Sequence, residues 1–153
     1  MKGRRAAIGA VVASFVLAGS ALAAGNITAK VIGAFGVGNE VGYAAGHTFT
    51  AEAAPGSLVL TVEVRVPPGG VFPWHYHTAG LTVTVTQGAL TVQDADSCDT
   101  QRFSAGQGFF EEAGVIHKAM NEGSTIAILW VTYLGIPAGS PPDVYEPGSF
   151  DPC

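Results

Sequence analysis

Beyond residue 56 the chain repeatedly alternates apolar and polar residues with a period of two, the mark of strands that bury one face. The clearest case is residues 81–86: Leu81, Val83 and Val85 take one side and Thr82, Thr84 and Thr86 the other. Gln87-Gly88 closes this strand, and residues 89–92 supply a hairpin partner. Residues 57–66 are rich in β-branched side chains, alternate in their second half, and stop at Pro67-Pro68-Gly69-Gly70. Short strands are predicted at 101–103 and 108–110, on either side of a turn at Ala105-Gly106, and again at 115–119. Residues 125–134 read as a long apolar strand expected to be buried on both faces. The Gly-rich stretch 30–41 is not assigned. Residues 135–153 hold five Pro and three Gly, which preclude a regular central strand and predict an irregular tail. No segment has the period of an amphipathic helix, and no repeat of solenoid length is visible. Many short strands with Gly/Pro turns predict a single all-β domain, a sandwich or a barrel.

Composition narrows the class. The chain has 153 residues, 48% of them hydrophobic and 12% charged, with a net charge of −5. It is too apolar to be disordered. Three of its seven basic residues, Lys2, Arg4 and Arg5, lie in the first five positions. The remainder sets four basic residues against twelve acidic ones, which excludes nucleic acid as a partner.

Those basic residues begin a targeting pattern. An apolar stretch follows over residues 6–18, and then Ala21-Leu22-Ala23, the small-x-small pattern that signal peptidase accepts. Residues 1–23 are therefore expected to be a cleaved signal peptide, placing the protein in the periplasm or outside the cell. An uncleaved membrane anchor is the competing reading, and the short Ala/Gly-rich run disfavours it. Arg4-Arg5 leaves the twin-arginine route open beside the general one. The two cysteines fit export. Cys98 lies in a polar turn, Cys153 is the last residue, and neither has zinc-finger neighbours. In an oxidising compartment they are expected to pair, closing a loop of about 55 residues worth roughly 4 kcal/mol in the chain-entropy model. Two free thiols are the alternative.

The histidines carry the candidate chemistry. His75 and His77 form an H-x-H pair, and residues two apart on a strand point to the same face. Continuing the alternation puts them on the apolar inner side with Leu81, Val83 and Val85. Imidazole is the common ligand of Zn, Cu, Fe and Ni. His117 lies forty residues on in another apolar segment. If it meets the pair, it completes a three-nitrogen face with positions left open. His47, between Gly46 and Thr48, has no such setting and reads as structural or exposed.

At this level the sequence resembles the cupin superfamily, in particular its small exported bacterial single-domain members. The first cupin motif, G-x5-H-x-H-x3/4-E-x6-G, is met by Gly69, His75, His77 and Gly88, with Leu81 in place of the Glu. The second, G-x5-P-x-G-x2-H-x3-N, is met by Gly106, Gly114, His117 and Asn121, with Glu112 in place of the Pro. The resemblance implies a jelly-roll β-barrel. Its core would span residues 57–134, residues 24–56 would supply strands that complete it, and residues 135–153 would form a tail. It implies a divalent metal (Fe, Mn, Zn, Ni or Cu) held by His75, His77 and His117. Leu81 removes the usual anionic ligand, which should weaken affinity; some cupin thiol dioxygenases nonetheless use three His and no carboxylate. Glu111 and Glu112 offer a replacement ligand or a rim base, against the plainer reading that both are solvated turn carboxylates. The implied functions are a mononuclear metal-dependent oxygenase or similar enzyme acting on a small apolar or aromatic molecule, or a non-catalytic metal- or ligand-binding protein. A homodimer is left open.

Overall fold

The computed structural model describes residues 27–36, 41–45 and 49–153. The expected signal segment and His47 lie outside the described residues. Twelve strands are found among them. One antiparallel sheet has five strands in the order β1 (Thr28–Gly36), β4 (Leu58–Val66), β11 (Ala127–Ile136), β6 (Leu81–Gln87) and β9 (Gly108–Glu111). The second runs β12 (Asp143–Tyr145), β5 (Val71–His77), β10 (His117–Met120), β7 (Ala89–Asp94) and β8 (Thr100–Ser104). A separate hairpin joins β2 (Val41–Ala45) and β3 (Phe49–Ala53).

Alternation decides which face each strand buries. In β6, Leu81, Val83 and Val85 are buried and the threonines between them are exposed. In β4, Leu60, Val62, Val64 and Val66 point inward. Leu129, Val131 and Tyr133 do so from β11, and Leu90 and Ala119 come from the facing sheet to close one core. Gly88 turns β6 into β7 with φ of +70°, and a Cβ there would lie 2.7 Å from the Ile126 carbonyl, so the position admits glycine alone. Asn121, 1% exposed, locks the loop after β10 by donating to the carbonyls of Val66 and Thr125, both at 2.8 Å, and accepting from the Gly123 amide.

Four expectations are corrected. The sheets are not closed into a barrel: among the described residues no strand pairing joins one sheet to the other, and each apolar face is covered by packing on its opposite number. Strand β11 is not buried on both faces. Trp130 is 49% exposed, because an antiparallel strand in a two-layer fold turns every second residue outward. The unassigned stretch contains an edge strand, β1. The tail is not wholly irregular: β12 pairs with the edge of β5, where its flanking prolines are tolerated. The tail then returns to the Cys98 turn, where Cys153 forms a disulfide with Cys98. On its way it donates the Glu146 amide to the Trp74 carbonyl and lays Phe150 edge-on to the Trp74 ring.

Candidate metal centre

Strands β5 and β10 are neighbours, and their register sets His117 directly across from His75. His77 follows His75 on the same face by the strand repeat. The three imidazoles are thus brought together by pairing within one sheet. They are buried, at 4%, 5% and 4% exposure for His75, His77 and His117. Each offers a ring nitrogen, and the three nitrogens lie within 4.8 Å of one another.

The Nδ1 atoms settle what the rings present to the interior. His75 Nδ1 is 2.7 Å from the Pro73 carbonyl, and His117 Nδ1 is 3.0 Å from the Val115 carbonyl. His77 Nδ1 is 2.7 Å from Asp143 Oδ1. All three partners accept only, so each Nδ1 carries the proton and donates. In the neutral ring that leaves the Nε2 lone pair unprotonated, the form that ligates a metal.

The opposite sheet faces this cluster with Leu81 and Glu111. They are directly paired across β6 and β9, so their side chains share the inward face. Glu111 reaches His77 Nε2 with Oε2 and His117 Nε2 with Oε1, each at 3.2 Å. The anionic group missing at Leu81 is therefore present one strand over. Glu111 ends a strand rather than lying in a solvated turn. Glu112, the next residue, lies past the end of β9 and is exposed. Leu81 itself is fully buried.

The tail contributes a part that sequence reasoning missed. In the β12–β5 register Asp143 pairs with His77 and Tyr145 with His75. Asp143 accepts from His77 Nδ1 and from the Tyr133 hydroxyl, the latter at 2.8 Å, and Tyr145 stacks on His75 at 5.3 Å between ring centroids. The only sequence signal was an acid and an aromatic two apart, in a stretch whose prolines argued against a strand.

Electrostatics separate the three rings. Burial pushes the His75 pKa down to about 4, helped by the charges of His117 and His77. Burial likewise lowers His117, although Glu111 opposes it. At His77 burial also acts to lower the pKa, but hydrogen bonds to Asp143 and Glu111 outweigh it and raise the value to about 9. Burial opposes ionisation of Glu111 and Asp143, yet their bonds to His77 hold both below the ordinary carboxylate range. Without metal, one proton therefore sits on His77 between two carboxylates. A cavity of about 370 Å³ opens beside His117 and Glu111, walled by Val92, Val115 and the stacked rings of Phe103 and Phe109, whose centroids are 4.0 Å apart.

Comparison with known proteins bears on the fold. The chain is similar to a cupin-like protein from Thermotoga maritima (15% identity, 81% of this chain and 78% of that one, TM-score 0.56). It is similar to the polyketide cyclase RemF from Streptomyces resistomycificus (23% identity, 61% and 64%, TM-score 0.51). A recombinant oxalate oxidase in complex with glycolate shows 26% identity over 57% of this chain, which spans only 45% of that protein, at a TM-score of 0.49. No curated protein matches the chain. Residues 62–133, which carry all three buried histidines of the cluster, match the cupin domain family, and this segment belongs to the cupin superfamily.

Proposed function

We propose that His75, His77 and His117 hold one divalent metal ion through their Nε2 atoms, with Glu111 as the fourth donor, and that the ion acts on a small apolar or aromatic molecule entering from the adjoining cavity. The observation that carries this reading is the commitment of all three Nδ1 atoms to acceptors, which turns three ligand lone pairs toward one interior point. Glu111, 3.2 Å from the Nε2 atoms of both His77 and His117, brings an anionic oxygen to the same point. Bound there, a divalent ion supplies Lewis acidity or, if redox-active, oxygen activation. The protein's own groups do the rest. Asp143 fixes the tautomer and tilt of His77, Glu111 offsets part of the ion's charge, and Leu81 and Phe109 keep the inner wall dry. This favours a mononuclear oxygenase over chemistry that needs a free acid and base, because Glu111 is occupied. A non-catalytic metal- or ligand-binding protein is the alternative, separated by oxygen uptake of the loaded protein with candidate substrates. Residues 1–23 we read as an export signal, checked by the mass of the secreted chain.

The test uses the Leu81–Glu111 pair. Glu111→Gln should weaken metal binding by more than the about 10–100-fold typical of groups outside the ligand shell. The exchange Leu81→Glu with Glu111→Leu should restore much of it, since both side chains share one face. Unchanged affinity in Glu111→Gln would remove Glu111 from the ligand set.

A further inference from the structure

We propose that the cavity beside His117 and Glu111 selects an aromatic molecule carrying a positive charge, an arylalkylammonium, and rejects aromatic carboxylates. This rests on the reading of that cavity as the ligand site of the metal centre. Its volume, about 370 Å³, lies at the small end of the range for organic ligands, and the Phe103–Phe109 stack offers an aromatic face. Three carboxylates line it: Asp94, Glu111 and Glu112.

None of the four Lys and Arg side chains among the described residues lines it, and the proton on His77 lies between Glu111 and Asp143. Lys118 follows His117 on β10 and so points to the opposite face, where its Nζ lies 4.6 Å from the centroid of the Trp74 ring. Arg102 lies between Gln101 and Phe103 on β8; those two line the cavity, so Arg102 faces away. Arg65 is paired with Glu63 at 2.9 Å on the outer face of β4. Lys30 is on β1, at the sheet edge farthest from β9.

A bound divalent ion does not reverse this balance. Glu111 and Asp143 together match its charge, which leaves Asp94 and Glu112 at the cavity without a counter-ion. Asp94 is held in its turn by the Ser97 amide at 2.8 Å, the Ser97 hydroxyl and the Asp96 amide, and none of these neutralises it. An ammonium group placed over a phenyl face and near carboxylates gains on both counts. A carboxylate in the same place meets Asp94 and Glu112 with no lysine or arginine to offset them.

The experiment compares three probes with one phenylethyl body: 2-phenylethylammonium, 2-phenylethanol and 3-phenylpropanoate. Binding to the full chain is followed by NMR shift titration, metal-free and metal-loaded. An open metal position attracts carboxylates on its own account, so the metal-free ordering decides. The ammonium should bind about tenfold tighter than the carboxylate, with the alcohol between them. Glu112→Gln should lower the ammonium affinity about two- to fivefold and leave the alcohol unchanged. A carboxylate that binds as well as the ammonium, an alcohol that matches the ammonium, or binding by none of the three overturns the proposal. If the chain takes up no metal but keeps the ordering, the metal reading fails alone. If it takes up metal without the ordering, only the selectivity fails.

Discussion

Asp143 is the residue through which the tail reaches the metal centre, and replacing it by alanine separates two effects that the structure couples. Its Oδ1 accepts from His77 Nδ1 at 2.7 Å and from the Tyr133 hydroxyl at 2.8 Å. Without it His77 loses the partner that holds its Nε2 lone pair inward. Loss of such a partner costs about 10–100-fold in metal affinity, or about 1.4–2.8 kcal/mol. Tyr133, 7% exposed, would also keep a buried hydroxyl without its acceptor, at about 1–3 kcal/mol of folding stability. The two are read apart by competition of the chain with a chromophoric chelator for Zn²⁺ and by thermal unfolding of the metal-free chain. Tyr133→Phe should leave affinity nearly unchanged. The double variant should recover only the Tyr133 share of the stability lost in Asp143→Ala, because the His77–Asp143 bond stays broken, and none of the lost affinity. Since Asp143 also helps keep a proton on His77 up to about pH 9, the affinity loss should be largest when measured above that pH. Wild-type affinity in Asp143→Ala, or an equal loss in Tyr133→Phe, would refute the reasoning.

Three further outcomes follow from the structure. Because His75 titrates at about 4 and His117 is also lowered, only the His77 proton competes with metal near neutrality; the logarithm of affinity should rise by about one per pH unit from 7 to 9 and then level off, and a flat profile there would contradict the assignment. The sign for folding is opposite: with a folded pKa raised from 6.5 to about 9, His77 stabilises the metal-free chain fully below 6.5, and its unfolding temperature should fall as pH rises through 9. The Cys98–Cys153 bond closes a loop with a sequence separation of 55; Cys98→Ser with Cys153→Ser should lower the unfolding free energy by up to about 4 kcal/mol, and denaturant titrations that coincide with wild type would show that the bond constrains nothing.

The sequence exposed what local pattern encodes. The strict alternation of residues 81–86 placed Leu81 inside, and H-x-H spacing placed His75 and His77 on one face, because both depend only on the strand repeat. What escaped depends on register between distant strands. Nothing local says that Glu111 pairs with Leu81, so the carboxylate absent from the first motif could not be located one strand away. Asp143 was hidden for a related reason. Its strand is three residues long, lies among prolines, and exists through pairing with β5. The reading of β11 as buried on both faces failed because apolar content alone does not reveal an outward Trp130.

The central claim is that three imidazoles from two paired strands hold a single ion. Metal content per chain after loading with Zn²⁺ and exhaustive dialysis, measured by elemental analysis, tests it most directly. The account predicts one ion per chain, lost in His75→Ala, His77→Ala and His117→Ala and kept in His47→Ala. A wild-type chain that retains no ion, or equal retention by all four variants, would contradict it.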